Sequence, residues 1–424
     1  MSYLNIKHVL EKELKVAVGC TEPIAVALAA AVASEHTTGP LQKMRISCSR
    51  NVIKNAMAVA IPGMEYTGIP FVGALGFIVK QSHKQLSILE EVTVEQEKNA
   101  INWCNEGKIE LVEANTKKVL LIEVSVETER EKVIVSLEDN HTNITSIIVN
   151  GVEKLTLSTL KKEKKEKKDI ENYSLDDLID FSLNCFIEDL HIVAKSIEIN
   201  LAASEHGLVN EYGLQVGKVL KEQMDEGILS SDLVNIAASY AAAGSDARMG
   251  GATIPVMSNS GSGNQGLAVT LPVIAVAKKL NVDNEKMIRS VAISHLIAIF
   301  IKNQFGRLSS LCGVTIAGAS SSAAITYLLG GDRKQMYYAI QNTLGNVAGM
   351  ICDGAKAGCA MKVATCSSAA VQSALLAKRN KCIPKTNGFI EQDVVDTIRN
   401  FCQIGNEASP ILDKVVLNAM LNKK

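Results

Sequence analysis

The sequence predicts an α+β protein, with a smaller N-terminal α/β domain over residues 1–165 and a mainly all-helical C-terminal domain over residues 170–424. Three observations predict it. β-Branched, strand-like runs are confined to the N-terminal part, at Met44–Ser49, Val119–Glu127, Val133–Leu137 and Ile144–Val149. From about Leu175 onward strand signals nearly vanish, and long helical segments alternate with glycine loops. Between the two parts lies Lys161-Lys162-Glu163-Lys164-Lys165-Glu166-Lys167-Lys168, a composition break whose interspersed glutamates mark a solvated linker rather than a polyanion-binding patch.

The elements follow in order. Leu10, Leu14, Ala17 and Val18 share helical spacing, so Leu4–Val18 is expected to be a helix. Thr21-Glu22-Pro23 opens an alanine-rich apolar helix, with proline suited to a first turn. The polar stretch Glu138–Thr142 suits a hairpin turn between two of the strands. In the second part, helices are expected at Leu175–Ala203, Val209–Met224, Ser231–Ala243, Val269–Lys279, Lys286–Lys302, Ala317–Leu329, Lys334–Ala348 and Ala360–Ala377. No repeat of fixed period is visible.

Composition narrows the function classes. A formal net charge of −1 and an aromatic content of 4% give neither the basic footprint nor the stacking platform of a nucleic-acid binder. The apolar stretches Ile24–Ala33, Leu267–Ala277 and Val291–Ile301 are short of the roughly 20 residues needed to span a bilayer. They are expected to be buried helices, with no membrane partner. No signal-peptide pattern is evident. Ten irregularly spaced cysteines in 424 residues are not a disulfide framework, and a reducing cytoplasm is the expected compartment. Alanine-rich faces suit a homodimer.

Four segments break helical regularity with small and polar residues, as functional loops do. In Gly19-Cys20-Thr21-Glu22-Pro23, Cys20 precedes a helix whose dipole favours a thiolate, although a buried neighbour of the cap is an equal reading. Lys54, in Asn51–Asn55, is a candidate carboxylate holder or an ordinary surface lysine. The richest polar loop is Met257–Gly266. There Ser258, Asn259, Ser260, Ser262, Asn264 and Gln265 supply hydrogen-bonding groups, and glycines admit a ligand such as an amino-acid carboxylate. Upstream, Asp246 and Arg248 are either a structural pair or a substrate clamp.

The fourth segment carries cysteines: Leu311-Cys312-Gly313, Ile351-Cys352-Asp353 and Gly358-Cys359-Ala360. Six residues separate Cys352 from Cys359, and no Cys-x2-Cys or histidine pair accompanies them, which argues against structural zinc. Three thiolates suit a [4Fe–4S] cluster with one open iron, a Lewis acid for removing a poor leaving group. Cys366 follows, so spacing alone does not choose the ligands. Lys356 is a charge partner for thiolates or substrate, or a loop lysine.

Taken together, Val18–Pro23, Asn51–Asn55, Ser245–Gly251, Ser258–Gly266, Ser310–Gly313 and Gly349–Lys362 resemble the L-cysteine desulfidase family, relatives of the iron–sulfur L-serine dehydratases. The resemblance implies an oxygen-sensitive [4Fe–4S] cluster on Cys312, Cys352 and Cys359 and conversion of L-cysteine and water to pyruvate, ammonia and sulfide without pyridoxal phosphate. Cys20 matches a further characteristic cysteine of the family, with the expected role of base or resting-state ligand. Lys356 and His206 are the other expected bases; His206, His36 and His295 also read as structural histidines. Competing expectations are a serine dehydratase, a pyridoxal-phosphate β-eliminase, and a non-enzymatic cluster or sulfide carrier.

Overall fold

A computed structural model describes residues 3–64, 66–156, 169–305 and 310–422 of the protein. The lysine-rich run at 161–168 lies outside the described residues. Helix accounts for 60% and strand for 12%, with most of the strands in the N-terminal part, so the α+β expectation holds.

The chain opens with α1 (Tyr3–Glu13) and β1 (Leu14–Ala17). The helix expected through Val18 therefore stops at Glu13, because Leu14–Ala17 pairs antiparallel with Val256–Asn259. A tertiary partner here outweighs the helical spacing of Leu10 and Leu14. Next come α2 (Thr21–Glu35), β2 (Lys43–Cys48), α3 (Arg50–Ala56), α4 (Ile69–Val79), α5 (Val94–Asn105) and β3 (Ile109–Glu113). A meander of β4 (Leu121–Glu127), β5 (Lys132–Glu138), β6 (Ile144–Val149) and β7 (Val152–Thr156) completes this part. The hairpin turn expected after Glu138 joins β5 to β6.

The remaining elements are α6 (Leu175–Asn184), α7 (His191–Val209), α8 (Val216–Asp225), α9 (Leu233–Met249), β8 (Val256–Asn259), α10 (Gly263–Lys279), α11 (Asn284–Phe305), α12 (Gly313–Leu328), α13 (Arg333–Val347), α14 (Cys359–Lys378) and α15 (Val394–Leu421). The single helix expected over Leu175–Ala203 is interrupted after Asn184. The polar loop expected at Met257–Gly266 is a strand, a tight turn and the start of a helix. Among the described residues no helix is long and apolar enough to cross a membrane.

Contacts gather the chain into two compact units, one of Met1–Val18, Glu166–Cys352 and Ala357–Leu412, the other of Gly19–Lys165, Asp353–Lys356 and Asp413–Lys424. The second unit is built on a six-stranded sheet of order β3-β2-β4-β5-β6-β7, parallel only between β2 and β3. Alternation along β4 and β5 buries Ile122, Val124, Val126, Val133, Val135 and Leu137 in one cluster with Ala25, Ala29 and Ala33 of α2. One face is thus packed and the other carries Glu123, Ser125 and Glu127, as antiparallel sheets allow.

The first unit is a helical assembly around one large apolar cluster to which α10, α11 and α12 contribute most of their lengths. β8 delivers the chain into α10, and the junction is tight. A Cβ on Gly266 would stand 2.0 Å from the Met257 carbonyl oxygen, so only glycine lets the helix lie against the strand it has just left.

Candidate active site

Two of the three expected cysteine ligands are pinned by a short backbone ladder. Leu311 and Ile351 form an antiparallel bridge. The Cys312 amide donates to the Met350 carbonyl at 2.8 Å, and the Cys352 amide to the Ser310 carbonyl at 2.6 Å. Because side chains alternate along extended backbone, Cys312 and Cys352 project from the same face at diagonal positions. Cys312 is also the N-cap residue of α12, though its side chain makes no capping hydrogen bond. Cys359 is the first residue of α14. Two of the thiols therefore sit at helix N-termini, where the dipole favours negative charge.

The third cysteine joins them electrostatically. The Cys312 thiol is pushed up, by burial first and then by Cys352, with smaller contributions from Cys359 and Cys366, while the Val314 amide opposes the shift. Burial and the neighbouring cysteines both disfavour a thiolate at Cys312. Cys366, two turns along α14, is also pushed up, to about 12, by burial, against the Thr315 hydroxyl and Lys362. Among the described residues no group of three or more His, Cys, Asp or Glu is placed to hold a metal ion.

The polar segment before α10 faces the same corner. Ser258 is spent on the fold, its hydroxyl donating to the Lys15 carbonyl at 2.7 Å. Ser260 adopts φ +50° and donates to Asn259 Oδ1 at 3.0 Å. Ser262 is the N-cap of α10 and accepts from the Gln265 amide. Asn264 Oδ1 accepts from Ser245 Oγ at 3.3 Å and from an Arg248 guanidinium nitrogen at 3.2 Å. Gln265 is fully buried; its Nε2 donates to Asn259 Oδ1 at 2.8 Å, and its Oε1 is a buried acceptor without a hydrogen-bond partner. That oxygen points at Gly313, where a Cβ would stand 3.0 Å from it. Gln265 is thereby brought next to Cys312.

Asp246 and Arg248 do different work. Arg248 reaches Asn264, whereas Asp246 Oδ2 accepts the Gly217 amide at 2.9 Å at the start of α8. Burial raises Asp246 to about 6, against the backbone amides of Leu214 to Gly217. A carboxyl whose folded pKa exceeds its unfolded one binds more protons when folded, so its contribution to stability falls as pH rises between about 4 and 6. Asp246→Asn should therefore gain in Tm relative to the wild type as pH increases from 4 to 7, as read from melting curves of both proteins. A pH-independent difference would refute this.

The other expected site residues belong to the other unit. Cys20 is buried and is the N-cap residue of α2. Lys54, expected on the surface or on a carboxylate ligand, is only 2% exposed and its Nζ is bonded to the Asp413 carboxylate. Lys356 pairs with Asp353 and donates to the Gly354 carbonyl at 3.4 Å. His206, in the first unit, is held by Tyr212 at 3.1 Å and Asn210 at 3.3 Å, as a structural histidine would be.

One participant was underrated in the sequence. His295 is fully buried, and its ring bonds Asn259 Nδ2 and Ser196 Oγ, each at 3.0 Å. Burial lowers it to about 3, so the ring is neutral. Ser196 and Asn200, one turn apart on α7, support the same region: Asn200 accepts from the Met257 amide at 2.7 Å and donates to the Gly266 carbonyl at 3.3 Å. Polar residues at i, i+4 on a buried helix face were the available signal.

Residues 83–418 match the serine dehydratase alpha chain family. A UPF0597 protein of Photobacterium profundum is 39% identical over 98% of this chain and 97% of its own. UPF0597 proteins of Clostridium perfringens and Bacteroides fragilis are likewise 39% identical, over 98% and 99% of this chain and 97% and 98% of theirs. With the match extending from ahead of α5 through the cysteine ladder into α15, this chain belongs to the serine dehydratase alpha chain family.

Proposed function

We propose that the protein is an iron–sulfur lyase, independent of pyridoxal phosphate, that eliminates the β-substituent of a small L-amino acid. We assign L-cysteine as substrate and sulfide, ammonia and pyruvate as products. The observation that carries the reading is the juxtaposition of the Cys312–Cys352 ladder with the buried, partnerless Gln265 Oε1 at Gly313.

The residues fit a cluster. Soft thiolate donors suit iron. Cys312, Cys352 and Cys359 would hold it. When bound, a [4Fe–4S] cluster with one open iron would supply a Lewis acid that makes sulfide or hydroxide a better leaving group.

The protein's own groups have separate tasks. Asn264, its amide oxygen held by Ser245 and Arg248, has its N–H donors left for a carboxylate. Burial of Gln265, Asn259 and His295 keeps bulk water from this side of the site. The α-proton is assigned to Cys20, with Lys356 as the second choice. The released aminoacrylate tautomerises and hydrolyses in water to pyruvate and ammonia. A reducing cytoplasm keeps the ten thiols available.

The matched family's name favours a second reading, L-serine as substrate with water as leaving group. Steady-state kcat/KM for the two amino acids on anaerobically reconstituted protein decides between them. A higher value for cysteine supports the assignment, and a strong preference for serine replaces it.

A further inference from the structure

We infer that a buried polar chain running from Ser196 and Thr270 through His295 and Asn259 fixes the Gln265 carboxamide with its oxygen toward the Cys312–Gly313 corner, making it the acceptor for the substrate's α-ammonium group. His295 is a positioning residue in this scheme. The ammonium assignment rests on the amino-acid lyase reading above.

The chain has only one consistent polarity. The Ser196 hydroxyl donates to the Val193 carbonyl at 2.7 Å and the Thr270 hydroxyl to the Gly266 carbonyl at 2.8 Å. Each hydroxyl has one proton, so toward His295 Nε2, at 3.0 and 3.3 Å, both present lone pairs. His295 Nε2 must therefore carry the ring proton, which leaves Nδ1 as an acceptor. Asn259 turns its NH2 to that acceptor at 3.0 Å and to the His295 carbonyl at 3.3 Å. Its Oδ1 is then directed at Gln265, whose NH2 donates at 2.8 Å. The far end of the Gln265 amide can only be oxygen. Reversing the histidine tautomer would reverse each amide in turn and present N–H groups at the corner instead.

A buried carbonyl oxygen left without a donor is destabilising, so such atoms in native sites call for an explanation. An ammonium group is the donor that a small amino acid brings, and its carboxylate cannot serve because an acceptor would meet an acceptor. Gly313 leaves the space, since a Cβ there would approach to 3.0 Å. The sequence assigned this segment to the substrate carboxylate; the hydrogen-bond chain divides the work, leaving Asn264 as donor and Gln265 as acceptor.

The test compares L-alanine, which has no leaving group, with propionate, which lacks the ammonium, by anaerobic calorimetry on the reconstituted holoprotein. Gln265→Met and His295→Leu are expected to weaken L-alanine about 10- to 100-fold, the value of a hydrogen bond to a charged group, and propionate by no more than about three-fold. His295→Gln, which keeps one acceptor and one donor, should restore most of the L-alanine affinity. Equal losses for both ligands, or none for L-alanine, overturn the inference while leaving the lyase reading intact. Failure of the wild type to bind L-alanine overturns both. Should His295→Leu not fold, Gln265→Met and long-range 1H–15N spectra of the wild type decide: a His295 ring protonated at Nε2 is expected, and one protonated at Nδ1 refutes the chain.

Discussion

Cys312→Ala is expected to leave protein that folds, holds substoichiometric iron and shows no turnover above the cluster-free wild type. Cys312 is the N-cap residue of α12 but its side chain makes no capping hydrogen bond, and a small buried thiol replaced by a methyl group loses little packing, so the loss of function would not be a loss of fold. Cys352→Ala should behave in the same way, because the ladder that places it involves backbone atoms only. The control is Cys366→Ala. That residue lies on the same stripe of α14 as Cys359, two turns further along, and it also touches Cys312 electrostatically. It should keep iron and activity. Retention of full activity in Cys312→Ala, or its loss in Cys366→Ala alone, would show that the ligand set is wrong. Iron analysis and turnover on the same preparations give both readings.

Lys54→Met should be among the most destabilising single changes in the protein, costing about 3–5 kcal/mol. Lys54 is one of the largest fully buried side chains, and its ammonium is neutralised by Asp413. Removing it leaves Asp413, itself buried, as an uncompensated charge. The double variant Lys54→Met, Asp413→Leu should recover most of the loss, since a packed apolar pair often replaces a buried ion pair without cost. Denaturant unfolding of the three proteins measures this. A Lys54→Met protein of unchanged stability but raised KM would instead return Lys54 to the substrate-binding role its position in the sequence suggested.

These two residues show what could be read in advance. Cys312, Cys352 and Cys359 stood out because small residues and glycines surround each; the structure sets Cys312 and Cys352 on one backbone ladder and Cys359 at the start of α14. Lys54 could not be placed, because its partner Asp413 lies far along the chain and nothing local announces a buried pair. Strand signals were legible where one face alternates, as in β4 and β5. They failed for β1, whose short extended run depends wholly on β8. The helix α15 was not among the expected helices; it continues through Pro410. The segment around Asn259 was read correctly as polar and wrongly as loop. Its side chains are paired to His295 and to one another through contacts that sequence spacing does not reveal. His295 itself sits in an apolar run, where a satisfied core histidine is the ordinary reading; its link to Gln265 becomes visible only in three dimensions.

The most direct test of an iron–sulfur lyase at this site is anaerobic. The protein is reconstituted with iron and sulfide, and pyruvate, ammonia and sulfide are measured from L-cysteine, with pyruvate and ammonia from L-serine, before and after exposure to air. Equimolar products that vanish in air together with about four irons per chain are the predicted result. Turnover that continues unchanged without iron would contradict the account.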